Sequence, residues 1–140
     1  MTTKGLLLDT HIWIWAMTGD LAKLSESYME AIAFAETEGE LAVSAISVWE
    51  VGMLEAKGRI DLGGNCKAWV NKALSFPGLK LIPLTPEIAI QSSRLPGEIH
   101  GDPADRILAA TCLVTDRSLL TKDRKLIDYS KQGHISVLPS

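Results

Sequence analysis

Acidic side chains stand at four places where the pattern of the chain changes. Asp9 follows Leu6-Leu7-Leu8, and Asp123 follows Leu119-Leu120-Thr121-Lys122. Asp102 and Asp105 lie in His100-Gly101-Asp102-Pro103-Ala104-Asp105-Arg106-Ile107-Leu108-Ala109-Ala110. Glu50 interrupts Ser47-Val48-Trp49-Glu50-Val51-Gly52-Met53. Each has an ordinary explanation. Asp9 and Asp123 suit helix N-caps. Asp102 before Pro103 is a strong helix start, and Asp105 then falls at the third helical position, where an acid meets the dipole. Glu50 could sit at the edge of an apolar stripe and pair with Lys57. Its one-turn neighbours Ile46 and Leu54 are apolar, however, and an inward carboxylate is costly unless it is paired or metal-bound. Asp105 likewise begins a stripe that continues through Leu108, Ala109 and Cys112, so it is expected to point inward. Taken together, the acids admit a sharper reading. A cluster of carboxylates is unstable without a cation, and an all-oxygen donor set suits a hard divalent ion such as Mg²⁺ or Mn²⁺.

The elements that must position these groups are short. Apolar runs bounded by Gly, Pro or charge predict strands at Gly5–Leu8, Leu41–Ser44, Leu79–Leu84, Ser118–Thr121 and Ile135–Leu138. Helices are predicted at Thr10–Met17, Ser25–Glu38, Ile46–Lys57, Asn65–Ser75, Pro86–Arg94, Pro103–Val114 and Arg124–Ser130. Alternation of the two implies an α/β fold with a parallel sheet and right-handed crossovers. Strand-to-helix junctions of a parallel sheet share one edge. Asp9, Asp105 and Asp123 map to junctions or helix starts, and Glu50 can reach that edge from a helix near its start. The chain of 140 residues reads as one domain, with 57–80 as a possible inserted helical hairpin because two helices precede the third strand.

Composition excludes several classes. Apolar residues make up 46% and charged residues 22%, a globular balance. The net charge of −3 rules out a broadly basic nucleic-acid coat, so a nucleic-acid contact would be local and metal-assisted. Charge is nevertheless segregated. Six acids and one base lie between Asp20 and Glu40, and five bases and one acid between Lys57 and Lys80. These are either two solvated faces or, for the second, a guide for a polyanion. Cys66 and Cys112 are far apart with no CxxC, against a disulfide scaffold or a cysteine zinc site. The start, Met1 to Asp9, reads as a first strand rather than a signal segment, and no membrane-length apolar run occurs. A cytoplasmic protein without membrane contact is expected. His11, His100 and His134 lack zinc spacing, and neither a Gly-rich phosphate loop nor a GxSxG elbow is present.

Four segments together resemble the PIN-domain ribonucleases, and most of all the VapC toxins of toxin–antitoxin modules. They are Leu6-Leu7-Leu8-Asp9-Thr10, Ser47-Val48-Trp49-Glu50, the block from His100 to Ala110, and Leu120-Thr121-Lys122-Asp123. The Asp-Pro-x-Asp-Arg-x-x-x-Ala block is the most specific of these. The resemblance implies a PIN-like three-layer fold, with a central parallel sheet flanked by helices. It also implies Mg²⁺- or Mn²⁺-dependent endoribonuclease activity on RNA, a homodimer, and a cognate antitoxin. It carries over Asp9, Glu50 and Asp105 as catalytic, metal-binding acids and Asp123 as a fourth, more variable one. Thr121 and Asp102 follow as supporting positions. Arg106 and Lys122, beside the acids, are candidates for phosphate or leaving-group contact. The chain departs from the pattern at Gly101, where many relatives carry a larger, often basic residue. A non-catalytic RNA- or protein-binding module and a DNA-directed nuclease of the same metal type remain the alternatives. Of the four tryptophans, Trp13 and Trp15 cannot both face one side of a helix, which places one of them at a dimer or antitoxin surface.

Overall fold

The computed structural model describes residues 5–139; the reading of Met1–Lys4 lies outside them. Four strands form one parallel sheet: β1 (Gly5–Leu8), β2 (Leu41–Ser44), β3 (Leu79–Ile82) and β4 (Arg117–Leu120), in the order β3-β2-β1-β4. Seven α-helices alternate with them: α1 (Thr10–Thr18), α2 (Glu26–Thr37), α3 (Ala45–Ala56), α4 (Cys66–Leu74), α5 (Pro86–Ser92), α6 (Pro103–Thr115) and α7 (Arg124–Ser130). A short 3₁₀ turn at Leu21–Lys23 was not expected from the sequence.

The strands read as unbroken apolar runs because both faces of the sheet are covered. Leu6, Leu8, Leu41, Val43 and Leu120 point into one core with Ile12, Trp13, Tyr28, Ile32, Val51 and Val70. Leu7, Ala42 and Leu119 point into a second core with Ile88, Leu108, Cys112, Leu126 and Tyr129. The result is the three-layer α/β arrangement expected, with α1, α2 and α4 on one side and α5, α6 and α7 on the other. Helix α3 contributes Val51 to the first core, while its Ile46 packs on the second. Residues 57–80 hold α4 and the start of β3, and Val70 and Ala73 of α4 are buried in the first core. Gly5 opens β1 because a Cβ there would come within 2.4 Å of the Arg117 guanidinium and 2.6 Å of the Glu40 carbonyl oxygen.

Strand order decides where a site can form. The chain steps outward from β1 to β2 to β3, then returns to the opposite side of β1 as β4. The crevice at the carboxyl ends of β1 and β4 is therefore a topological switch point, the place where open α/β sheets bind ligands. Register aligns Leu8 with both Val43 and Leu120, so Asp9, Ser44 and Thr121 come next, side by side, at that edge.

Two expectations need correction. The fifth strand, Ile135–Leu138, does not form: only Val137 bridges Leu119, with the Leu119 amide donating to the Ser136 carbonyl and the Leu138 amide to that of Leu119. Pro139 follows at once and can donate nothing to a longer ladder. Strand β3 ends at Ile82 rather than Leu84, because Pro83 stops it.

Candidate active site

Asp9, Glu50, Asp102, Asp105 and Asp123 line one pocket of about 390 Å³, with His11, Ile12, Trp15 and Lys122 completing its wall. The chain thus gathers five carboxylates, drawn from four separate segments, around a single lysine.

Asp9 caps α1 and lines the pocket at once, so the two explanations of this residue are not rivals. Its Oδ1 accepts from the Thr10 amide at 2.6 Å, and its Oδ2 accepts from the Thr121 hydroxyl at 2.5 Å. Thr121 is fully buried and holds the other side too, since its Oγ1 accepts from the Asp123 amide at 3.0 Å. Tyr28, buried on α2, donates to the Thr121 carbonyl at 3.2 Å and to that of Leu138 at 2.6 Å. One hydroxyl therefore sets the spacing of Asp9 and Asp123. Thr121→Val is expected to destabilise the fold by about 1–3 kcal/mol, because it leaves a buried carboxylate oxygen and an amide unsatisfied. Urea unfolding of the two proteins checks this.

Asp123 caps α7 through Oδ1, which accepts from the Lys125 amide at 2.8 Å and the Leu126 amide at 3.4 Å. Glu50 points inward from α3 and does not pair with Lys57. The Thr10 hydroxyl donates to its Oε1 at 2.6 Å and touches the Ser47 hydroxyl at 2.8 Å. Asp102 is the N-cap of α6 and is exposed; its Oδ1 accepts from the Asp105 amide at 3.2 Å. Asp105, half-buried, faces the pocket from the first turn of α6, with its Oδ2 2.8 Å from His100 Nε2.

The basic neighbours divide. Lys122 is exposed at the pocket rim, 5.6 Å from the centre of the Trp15 ring, and donates to the Lys23 carbonyl. Arg106, a candidate for phosphate contact, is turned to backbone carbonyls instead of the pocket wall. Its Nε donates to the Ser92 carbonyl at 2.9 Å, and one terminal nitrogen reaches the Ile99 and His100 carbonyls at 3.5 and 3.4 Å. The guanidinium is committed to the loop between α5 and α6 and does not line the pocket. Lys57, Arg59, Lys67, Lys72 and Lys80 are all exposed and lie outside the pocket wall. Trp13 is fully buried, Trp15 lines the pocket, and the most exposed tryptophan is Trp49 at 57%.

The electrostatics are those of crowded acids. Burial raises the Asp9 carboxyl above its usual range, against the lowering effect of the Thr121 and Thr10 hydrogen bonds. Burial also pushes Glu50 up to about 7, with added repulsion from Asp9, Asp105 and Asp102. Asp105 is raised by burial, against its bond from His100, and by the charges of Asp102, Asp123 and Asp9. Among the described residues, no three acidic, histidine or cysteine side chains close on a common point by themselves. The acids of this pocket offer carboxylate oxygens as donors. That fits a hard divalent ion, which holds a few carboxylates and keeps several of its waters.

Sequence reasoning missed Thr10, Ser47 and His100. Thr10 follows Asp9 directly, and a hydroxyl there on the first turn of α1 was the available signal. The contact of His100 with Asp105 depends on how the loop folds back, and spacing alone does not reveal it.

The PIN domain model matches residues 6–132. A curated relative, Ribonuclease VapC22 of Mycobacterium tuberculosis, is 36% identical over 137 residues, which is 98% of this chain and 99% of the relative. The chain belongs to the PIN-domain family. Among solved structures, this PIN domain is similar to the VapBC2 complex of Rickettsia felis bound to a promoter DNA fragment (TM-score 0.68, 16% identity, 95% and 96% of the two chains). It is also similar to DNA-bound VapBC of Salmonella typhimurium (TM-score 0.67, 14% identity, 96% of each chain). At those identities the likeness is one of fold. No helix of the described PIN domain is long and apolar enough to cross a membrane.

Proposed function

We propose that this PIN domain, spanning the 140 residues as one unit, is a metal-dependent endoribonuclease that hydrolyses RNA phosphodiesters. In this reading it works in the cytoplasm as the toxin of a toxin–antitoxin pair. The observation that carries the chemistry is the convergence of Asp9, Glu50, Asp105 and Asp123 on one pocket at the switch point of the sheet. The preference for RNA rests on the relative named a ribonuclease.

Asp9, Glu50 and Asp105 would hold Mg²⁺ or Mn²⁺, with Asp123 assisting. When bound, the ion supplies Lewis-acid polarisation of a phosphate and a more acidic water near neutral pH. The chain's own residues set the stage. Thr121 and the Thr10 amide fix both oxygens of Asp9, and the Thr10 hydroxyl aims Glu50. Lys122, the lysine of the pocket wall, would meet a phosphate entering past the acids. Asp102 acts through the α6 cap that orients Asp105.

The purified chain should cut an RNA oligonucleotide with Mg²⁺ or Mn²⁺ and stop with chelator. Cleavage of the DNA of the same sequence at an equal or higher rate would move the substrate to DNA. Binding without cleavage of either would favour the non-catalytic module.

A homodimer and a cognate antitoxin belong to the same reading. Phe34, Trp49 and Ile90, all more than half exposed, supply apolar surface for protein partners. Trp49→Ala is expected to shift the chain toward monomer in light scattering. An unchanged mass would take Trp49 out of the dimer surface.

A further inference from the structure

The loop between α5 and α6 is gripped by two consecutive residues of the α6 first turn. Asp105 takes the His100 ring, with Oδ2 2.8 Å from Nε2, and Arg106 takes the backbone carbonyls of Ile99 and His100. Arg106 also reaches the Ser92 carbonyl, so it ties the end of α5 to the start of α6. The remainder of the loop is fastened to the end of α7. Tyr129 donates to the Pro96 carbonyl at 2.7 Å, and the Gln132 amide group bonds Glu98 at 3.0 and 2.6 Å. The imidazole and its carboxylate partner are only 20% and 14% exposed. At Gly101 nothing lies within 4 Å of where a Cβ would stand, so the loop's path past His100 is not forced by crowding at that point. The ring is held by what it bonds.

From this geometry we infer that His100 is a positioning residue for Asp105. Its Nε2–H donates to Asp105 Oδ2 and fixes the rotation of that carboxylate, so that Oδ1 is presented to the pocket. Among the described residues, Oδ1 has no protein donor of its own. Carboxylates that hold metals are oriented by outer partners of this kind, and loss of such a partner costs 10–100-fold in metal affinity or activity. Arg106 serves the same end one step further out, by holding the backbone from which the ring projects. The inference rests on the metal-site reading above.

Mn²⁺ titration of the full chain, followed by calorimetry or by the electron paramagnetic resonance of free Mn²⁺, tests it without recourse to activity. His100→Ala should weaken Mn²⁺ binding by about 10–100-fold. His100→Gln, whose amide nitrogen can stand in for Nε2–H, should recover most of the loss. In parallel, kcat for RNA should fall in His100→Ala with KM little changed. Equal Mn²⁺ affinity in His100→Ala and wild type overturns the inference and leaves the metal site standing. A His100→Gln variant as weak as His100→Ala overturns it as well, since the ring would then act by bulk. A wild-type chain that takes up no Mn²⁺ overturns the metal-site reading and this inference with it.

Discussion

Asp9→Asn and Asp105→Asn are each expected to lower RNA cleavage by at least about 100-fold, more than the loss of an outer partner costs a metal site. The size of the effect follows from where the residues sit. Asp9 is buried at the end of β1, with one oxygen held by the Thr10 amide and the other by Thr121. An asparagine keeps the shape but removes the charge, and it places an amide group where an oxygen must accept. If that group faces the Thr10 amide, donor meets donor; if it faces Thr121, the hydroxyl must turn from donor to acceptor. Asp105 differs, since its Oδ1 carries no protein donor among the described residues. There the substitution should spare the fold and remove chiefly the attraction for a cation. Initial rates on a labelled RNA oligonucleotide, with unfolding midpoints measured beside them, separate the two. Wild-type rates in either variant would remove that residue from the chemistry.

The second large effect is in pH. Glu50 is held near 7 in the metal-free protein by burial and by neighbouring acids. Its folded pKa thus lies above its unfolded value, and between about 4.5 and 7 the folded chain binds more protons at this site than the unfolded one. Stability from this group is fully present below that window and is lost as pH rises through it. Asp9 and Asp105 are raised as well and add in the same direction. The metal-free protein should therefore melt at lower temperature at pH 8 than at pH 5.5. A divalent ion must displace these protons, so its apparent affinity should rise about tenfold per pH unit below 7 for each proton displaced. Mg²⁺ should then stabilise the fold most at pH 8, where the metal-free protein is weakest. Melting curves at several pH values, with and without Mg²⁺, check both slopes. A metal-free protein that gains stability from pH 5.5 to 8 would show that these carboxylates are not crowded.

Much of this site is legible in the order of residue types. Leu6-Leu7-Leu8 followed by Asp9, and Leu119-Leu120-Thr121 followed by Lys122 and Asp123, announce buried strands that end in polar groups. A parallel sheet brings such ends together. Asp102-Pro103 fixes the start of α6 to the residue, which is why the third-position acid Asp105 could be aimed inward. What the sequence conceals depends on tertiary direction. Arg106 adjoins Asp105, yet its long side chain turns to carbonyls as many as fourteen residues back along the chain, and no periodicity encodes that choice. His100 is part of the quoted block, but its ring meets Asp105 only because the loop is pinned by Arg106, Tyr129 and Gln132. The missing fifth strand fails for another reason. Ile135–Leu138 has the apolar alternation of an edge strand, but it meets β4 at a single bridge and is cut off by Pro139.

Whether the pocket holds a metal is read most directly from the uptake of Mn²⁺ by the wild-type chain and by Asp105→Asn at pH 8. Saturable binding of one or two ions is expected in wild type, and a loss of that binding in the variant. A wild-type chain without saturable binding, or a variant that binds as tightly, would contradict the assignment of this carboxylate pocket as a metal site.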